Sequence, residues 1–284
     1  MGGKSPHKNY DAREGKTAMN RHLAAAALLA ALSNPAYAGP PDPADPLASV
    51  MWDVLRPELF GTAPVQFDDR VTVTAPDNAE NAAAVPVMAD ATALGTVEEM
   101  VLFADLNPFP VILRFQPLAA KPVIATRFKV QQATPLRAAA RTPDGVWHIG
   151  GKLLDAAGGG CTAPPATYAA TDWADHVGEV QGRAWAPSGE DKATRVRFLV
   201  RHPMDTGLVA GIPAYFIEAL TLRDADGRAL ARLQTAEPLS ENPVFTLEVQ
   251  PAAGARSLTL DGRDNQGGEV KAAIPLPWVQ GALP

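Results

Sequence analysis

The stretch Arg195-Val196-Arg197-Phe198-Leu199-Val200-Arg201 decides the expected fold. Val196, Phe198 and Val200 alternate with arginines, and this period of two predicts a β-strand with one buried and one solvated face. The arginines at 195, 197 and 201 are interpreted as the solvated face of this strand, with the alternative that they steer an anionic cargo or an acidic partner.

The same kind of pattern recurs on both sides of residues 155–175. Apolar alternation or short apolar runs occur at residues 71–74, 111–113, 124–130, 146–149, 245–249 and 258–260. In the run at 124–130, Arg127 and Lys129 are assigned to the solvated side. Turn signals at 226–227, 261–262 and 267–268 fall between such runs, and residues 50–60 can form one short helix. Short strands with regular turns predict an all-β chain with an antiparallel β-sandwich in each half.

The composition limits the class of protein. The chain has 284 residues, of which 46% are hydrophobic and 20% charged, so a packed core is expected. A net charge of -6 argues against a nucleic-acid partner, because phosphate contacts require a basic face. No apolar run approaches the roughly 18 residues that a membrane span requires.

The N-terminal region has the pattern of an export signal. Arg21 and His22 precede an apolar stretch at 23–32, and Ala36-Tyr37-Ala38 is a small-x-small cleavage site. We therefore expect residues 1–38 to be a leader and signal peptide with its natural start at Met19, and the mature protein to be periplasmic. An amphipathic helix is the disfavoured alternative, because the stretch has no polar face. Residues 39–49 are expected to be a loose leader.

Cys161 is the single cysteine of the chain, and it follows Gly158, Gly159 and Gly160. A lone cysteine in an exported protein is buried and inert, paired between chains, or a reactive thiol. Three glycines predict a flexible arm, so we expect Cys161 to be exposed and nucleophilic. The alternative is a glycine-rich turn with an incidental cysteine.

Two other kinds of site receive less support. Cys161 could form a nucleophilic pair with His148 or His202, although three adjacent glycines would hold a catalytic nucleophile poorly. A metal site would need clustered ligands. His148, His176 and His202 are scattered along the sequence, so no metal and no cofactor is predicted.

The chain resembles two families of bacterial sulfur-oxidation proteins. The motif Val200-Arg201-His202-Pro203-Met204-Asp205-Thr206-Gly207, the segment 212–217 and the segment 241–245 resemble SoxZ. The segment 71–76, Asn107-Pro108 and the glycine-cysteine arm resemble SoxY. A fusion of this kind is similar to the SoxYZ-like carriers associated with quinoprotein dehydrogenases.

The resemblance implies a fold and a role. It implies two immunoglobulin-like β-sandwiches joined by a Gly/Pro-rich linker: a SoxY-like domain at 50–157, the arm and linker at 158–172, and a SoxZ-like domain at 173–284. It implies a non-enzymatic carrier that binds sulfur intermediates, such as those of thiosulfate oxidation, covalently on Cys161. In this chain Thr162-Ala163-Pro164-Pro165 replaces the trailing glycines of the SoxY arm, so the arm is tethered at both ends.

The expected partners follow from the same resemblance. They are periplasmic sulfur-oxidation enzymes or a quinoprotein dehydrogenase system, and an exposed Cys161 would also permit a disulfide-linked homodimer. Arg201, His202, Met204 and Asp205 are candidate interface residues between the two halves. The competing hypothesis is an immunoglobulin-like adaptor for a periplasmic dehydrogenase with no covalent cargo.

Overall fold

The computed structural model describes residues 1–3, 43–186 and 193–277. The export signal predicted at 19–38 lies outside the described residues. One α-helix, α1 (Trp52–Phe60), precedes the strands, and short 3-10 helices lie at Thr92–Leu94, Ala166–Ala169 and Trp173–His176. The strands are β1 (Val65–Phe67), β2 (Thr72–Thr74), β3 (Asn78–Ala79), β4 (Val85–Asp90), β5 (Glu99–Ala104), β6 (Val111–Gln116), β7 (Ala120–Phe128), β8 (Thr134–Arg141), β9 (Trp147–Ala156), β10 (Val180–Ala184), β11 (Thr194–Val200), β12 (Ile217–Arg223), β13 (Ala229–Thr235), β14 (Val244–Val249), β15 (Ser257–Asp264) and β16 (Glu269–Pro275).

The predicted fold class, an all-β chain of immunoglobulin-like sandwich type, is confirmed. Each run of alternating residues named above falls wholly or mostly within a strand. One predicted turn is wrong, because Asp261-Gly262 lies inside β15. A Cβ atom on Gly262 would approach the carbonyl oxygen of Ala219 to 2.3 Å, so this glycine permits close packing between strands instead of a turn.

The strands form two sheets, and both sheets continue from the first half of the chain into the second. The larger sheet has the order β1-β9-β8-β5-β6-β13-β12-β15-β16, with β3 pairing β9, and the smaller has the order β10-β11-β14-β7-β4-β2. The halves join where β6 pairs β13 and where β7 pairs β14, both antiparallel. Cross-half backbone pairing therefore fixes how the first half meets the second. The domain boundaries at 157 and 173 stay a prediction.

The hydrophobic core fills both faces of the larger sheet in the first half. One face packs against the smaller sheet through residues such as Phe115, Phe128 and Phe245, which are fully buried. The other face is covered by α1, whose Trp52 and Phe60 pack against strands of the larger sheet. Within the described residues, no helix has the length and apolar character that a bilayer span would need.

The segment before α1 is anchored from Asp45 onward. Arg137 is buried and forms ion pairs with Asp105 at 3.0 Å and with Asp45 at 2.7 Å. Because removing one partner of such a buried group would leave an uncompensated charge, this contact fixes Asp45 against the sheet. The expectation of a loose leader at 39–49 is therefore wrong from Asp45 onward.

Candidate functional site

The glycine-cysteine arm leaves β9 and lies against the chain that follows β7. The amide of Gly159 donates to the carbonyl of Gln131 at 3.1 Å, and the amide of Gly160 donates to that of Val130 at 3.0 Å. A Cβ atom on Gly160 would meet the carbonyl oxygen of Ala82 at 2.0 Å. The glycines here allow the backbone to pack closely, which the sequence alone could not distinguish from a flexible hinge. That the arm moves stays a prediction.

Cys161 is fully buried, with 0% of its surface exposed, so the expectation of an exposed thiol is wrong. Its amide donates to Oε1 of Gln131 at 3.2 Å, and its thiol donates a long hydrogen bond of 3.7 Å to the carbonyl of Lys129. Its own carbonyl accepts a hydrogen bond of 2.6 Å from the hydroxyl of Thr206. A residue of the second half of the chain thus fixes the backbone of the cysteine that ends the first half.

Burial also makes the thiol unreactive in this position. Desolvation raises the pKa of Cys161 from 9.0 to about 11, and the positive charge of Lys129 opposes the shift without cancelling it. The thiolate is the nucleophilic form, so the docked cysteine is protonated and inert at neutral pH.

Lys129 is a buried residue that sequence reasoning placed on the solvated face. β7 ends at Phe128, so the alternation that should expose Lys129 no longer applies, and the residue is 3% exposed. Its Nζ donates to the carbonyl of Met204. Its own carbonyl accepts from Nδ2 of Asn107 at 2.8 Å, and Oδ1 of Asn107 accepts from the amide of Gln131 at 2.9 Å. Asn107, which belongs to the SoxY resemblance, thus hydrogen-bonds the backbone of residues 129–131, against which the arm docks.

Two loops of the second half, 202–206 and 238–242, complete the surroundings of Lys129 and Cys161; we call this region the junction site. Of the three residues other than glycine with positive φ in the described chain, Met204 (φ 50°) and Asn242 (φ 48°) lie here. Two hydrogen bonds join the loops. The backbone amide of His202 donates to Oδ1 of Asn242 at 3.1 Å, and the carbonyl of His202 accepts from the amide of Asn242 at 2.9 Å. Strained backbone of this kind concentrates at functional sites.

Buried polar atoms without a hydrogen-bond partner also concentrate in these loops. Among the described residues, six buried side-chain atoms lack a partner, and Nε2 of His202, Oδ2 of Asp205 and Oγ of Ser240 are three of them. Native proteins satisfy most such groups, so these three atoms mark the junction site as a polar region within the core.

The candidate interface residues lie in different environments. His202, Met204 and Asp205 are buried in the junction site, whereas Arg201 is exposed and forms an ion pair with Glu179 at 3.8 Å. Desolvation lowers the pKa of His202 to about 4. The carboxylate of Asp264 opposes this shift; its Oδ2 lies 3.7 Å from Nε2 of His202. His202 is therefore neutral at physiological pH.

The structure gives no support to a nucleophilic pair or a metal centre in its described part. The hydrogen-bond partners of Cys161 are Gln131, Lys129 and Thr206. His148 contacts Asp68 at 2.8 Å instead, and His176 contacts Glu179 at 2.7 Å. Across residues 43–186 and 193–277, no group of three or more His, Cys, Asp or Glu side chains is arranged to hold a metal ion.

Comparison with known families divides the chain into two parts. The family model of the sulfur oxidation protein SoxY matches residues 56–161, and that of the sulphur oxidation protein SoxZ matches residues 184–275. The first match ends on Cys161, and the second covers both loops of the junction site.

Among solved structures, the chain is similar to the sulfur carrier protein SoxY from Chlorobium limicola f thiosulfatophilum. The identity is 22% and the TM-score 0.34, over 37% of this chain and 96% of that one. No curated protein sequence matches the chain.

Proposed function

Because this chain carries a SoxY domain and a SoxZ domain in one polypeptide, we propose that it is a periplasmic sulfur-oxidation carrier that binds its cargo covalently on Cys161. The observation that carries the proposal is the position of Cys161. The single cysteine of the chain is the last residue of the SoxY match, and Thr206, in the SoxZ part, donates a hydrogen bond to its carbonyl.

The chemistry requires only a thiolate on a backbone that can reach another protein. A thiolate forms persulfide or S-sulfonate adducts by displacing a leaving group from an oxidised sulfur compound, or by joining a sulfur anion while an enzyme removes two electrons. Separate sulfur-oxidation enzymes would carry out this loading and the later unloading. In the docked position the thiol is buried and protonated, so loading requires the arm to leave the junction site. The hydrogen bonds that must open are few: those of Gly159, Gly160, Cys161 and Thr206 described above. Local opening of this size is far cheaper than unfolding the sheets.

The docked position has a use in such a carrier. A free, exposed thiol in an oxidising compartment is prone to oxidation and to disulfide exchange. Burial protects Cys161 between turnovers. A disulfide-linked homodimer would form only from two molecules whose arms are both released.

A specific observation favours a second function, a non-covalent adaptor for a periplasmic quinoprotein dehydrogenase. An adaptor has no need of a reactive thiol, and the thiol of Cys161 is fully buried. In that case the glycine-cysteine segment would serve only to join the two halves.

Replacement of Cys161 by serine in the native host separates the two functions. The carrier predicts that Cys161→Ser abolishes sulfur-compound oxidation by the cells, while the variant accumulates as a folded protein. Thr162→Ser, one residue further on and exposed, is the matched control and should retain activity. Full activity of Cys161→Ser would refute the carrier and support the adaptor. In the same cells, the export proposal predicts a mature N-terminus at Gly39.

A further inference from the structure

Lys129 has a buried ammonium whose N–H donors the junction site does not all pair. Its ammonium is buried, and among the described residues it makes one hydrogen bond, to the carbonyl of Met204, with no carboxylate at ion-pair distance. An ammonium has three N–H donors, so two remain for another acceptor. A buried ammonium without a direct ion pair and with unpaired donors is costly, so such lysines are rare unless a partner is supplied.

The acidic groups near the Lys129 ammonium are one thiol and two carboxylates. The ammonium interacts electrostatically with Asp205, Cys161 and Glu241, and desolvation lowers its pKa against their influence. The thiol of Cys161 is neutral when docked, so it supplies no counter-charge. Persulfide and S-sulfonate groups are anionic, however, and would add a negative charge next to a sulfur that lies 3.7 Å from the carbonyl of Lys129.

We propose that Lys129 is a positioning residue that binds the anionic sulfur group carried on Cys161, so that the junction site retains anionic adducts in preference to neutral ones. This inference rests on the proposed carrier function. Asp205 has the opposite influence, because its carboxylate interacts with the same ammonium and would compete with an anionic group for it.

The test compares two adducts of Cys161 that differ in charge. Tetrathionate gives the anionic one: the thiolate attacks an inner sulfur, the central S–S bond breaks, and thiosulfate leaves with the electron pair to give Cys161–S–S–SO₃⁻. Methyl methanethiosulfonate gives the neutral one: the thiolate attacks the methylthio sulfur, and methanesulfinate leaves to give Cys161–S–S–CH₃. Both reactions are carried out in urea, where access to the thiol is not limiting, and the full chain is then refolded by dilution.

The measurement is the protection of each adduct against dithiothreitol. Release is followed by intact mass, and the rate in urea is divided by the rate in buffer, which cancels the intrinsic reactivity of each adduct. In the wild type, protection of the anionic adduct should exceed that of the neutral adduct by at least about tenfold, the lower end for a close charge pair. Lys129→Met should abolish this difference, Lys129→Arg should retain part of it, and Asp205→Asn should increase it.

The controls distinguish this role from a structural one. Lys271→Met removes an exposed lysine elsewhere on the surface and should leave the difference unchanged. If Lys129 only supports the fold, Lys129→Met lowers both protection factors alike, their ratio stays as in the wild type, and the inference is overturned. If Lys129→Met does not refold, an unchanged ratio in Asp205→Asn overturns it equally. Chemically loaded protein is used, so this result does not depend on whether cells load Cys161.

Discussion

Thr206→Val should release the arm without disturbing the sheets. The Thr206 hydroxyl donates to the carbonyl of Cys161 at 2.6 Å in a buried setting. Valine has a similar shape but no donor, so the carbonyl of Cys161 loses its partner in the docked state and can regain one from water in the released state. A loss of this kind costs about 1 to 2 kcal/mol. The released population should therefore rise by about 5- to 30-fold.

The assay is the rate at which iodoacetamide alkylates Cys161 in the native protein. When the arm closes faster than the reagent reacts, this rate is proportional to the released population, so it should rise by the same factor. Thr162→Val is the matched control, because the hydroxyl of Thr162 also donates to an arm carbonyl, that of Gly159 at 3.2 Å, but is exposed. We expect its rate to stay within about twofold of the wild type.

Thermal melting checks that the change is local. Oγ1 of Thr206 also accepts the amide of Leu208 at 3.3 Å, so some loss of overall stability is expected in Thr206→Val. That loss should be much too small to populate the unfolded chain. Equal alkylation rates in Thr206→Val and Thr162→Val would refute the reasoning that Thr206 holds the arm.

Two further predictions concern the same docked state. Gly160→Ala should prevent docking and expose Cys161 to alkylation, because its Cβ would lie 2.0 Å from the carbonyl oxygen of Ala82. In Gly159→Ala the new Cβ has nothing within 4 Å, so the docked arm should be destabilised by only about 1 to 2 kcal/mol, for the positive φ of this residue. Similar alkylation rates of the two variants would contradict this. The alkylation rate of the wild type should keep rising about tenfold per pH unit beyond 9.0, because the pKa of the docked thiol is raised to about 11. The docked arm is correspondingly stabilised below pH 9.0 and loses that stabilisation as the pH rises towards 11. A plateau near pH 9 would indicate an exposed thiol.

The sequence was a good guide wherever local alternation determines the structure. The stretch from Val196 to Val200 lies in β11 as expected, because a strand with one buried face needs apolar residues at every second position. The way in which the halves join was not predictable, because the pairing of β6 with β13 and of β7 with β14 leaves no local signal.

The candidate site was found only in part, for two physical reasons. Glycines next to Cys161 fit either a mobile hinge or a backbone that packs closely against another carbonyl. A single sequence does not distinguish these two structures. Alternation places Lys129 on the solvated face only if the strand continues beyond Phe128, whereas the burial of its ammonium depends on loops of the other half. The motif 202–206 was found through its resemblance to SoxZ, although its contact with the cysteine was not.

The most direct test of the carrier is the intact mass of the protein isolated without reductant from its native periplasm while the cells oxidise sulfur compounds. The account predicts a fraction whose mass is increased by sulfur or sulfonate groups, with the increment on the peptide that contains Cys161 and removed by dithiothreitol. Unmodified Cys161 in all of the protein from such cells, or an increment on another peptide, would contradict the central claim.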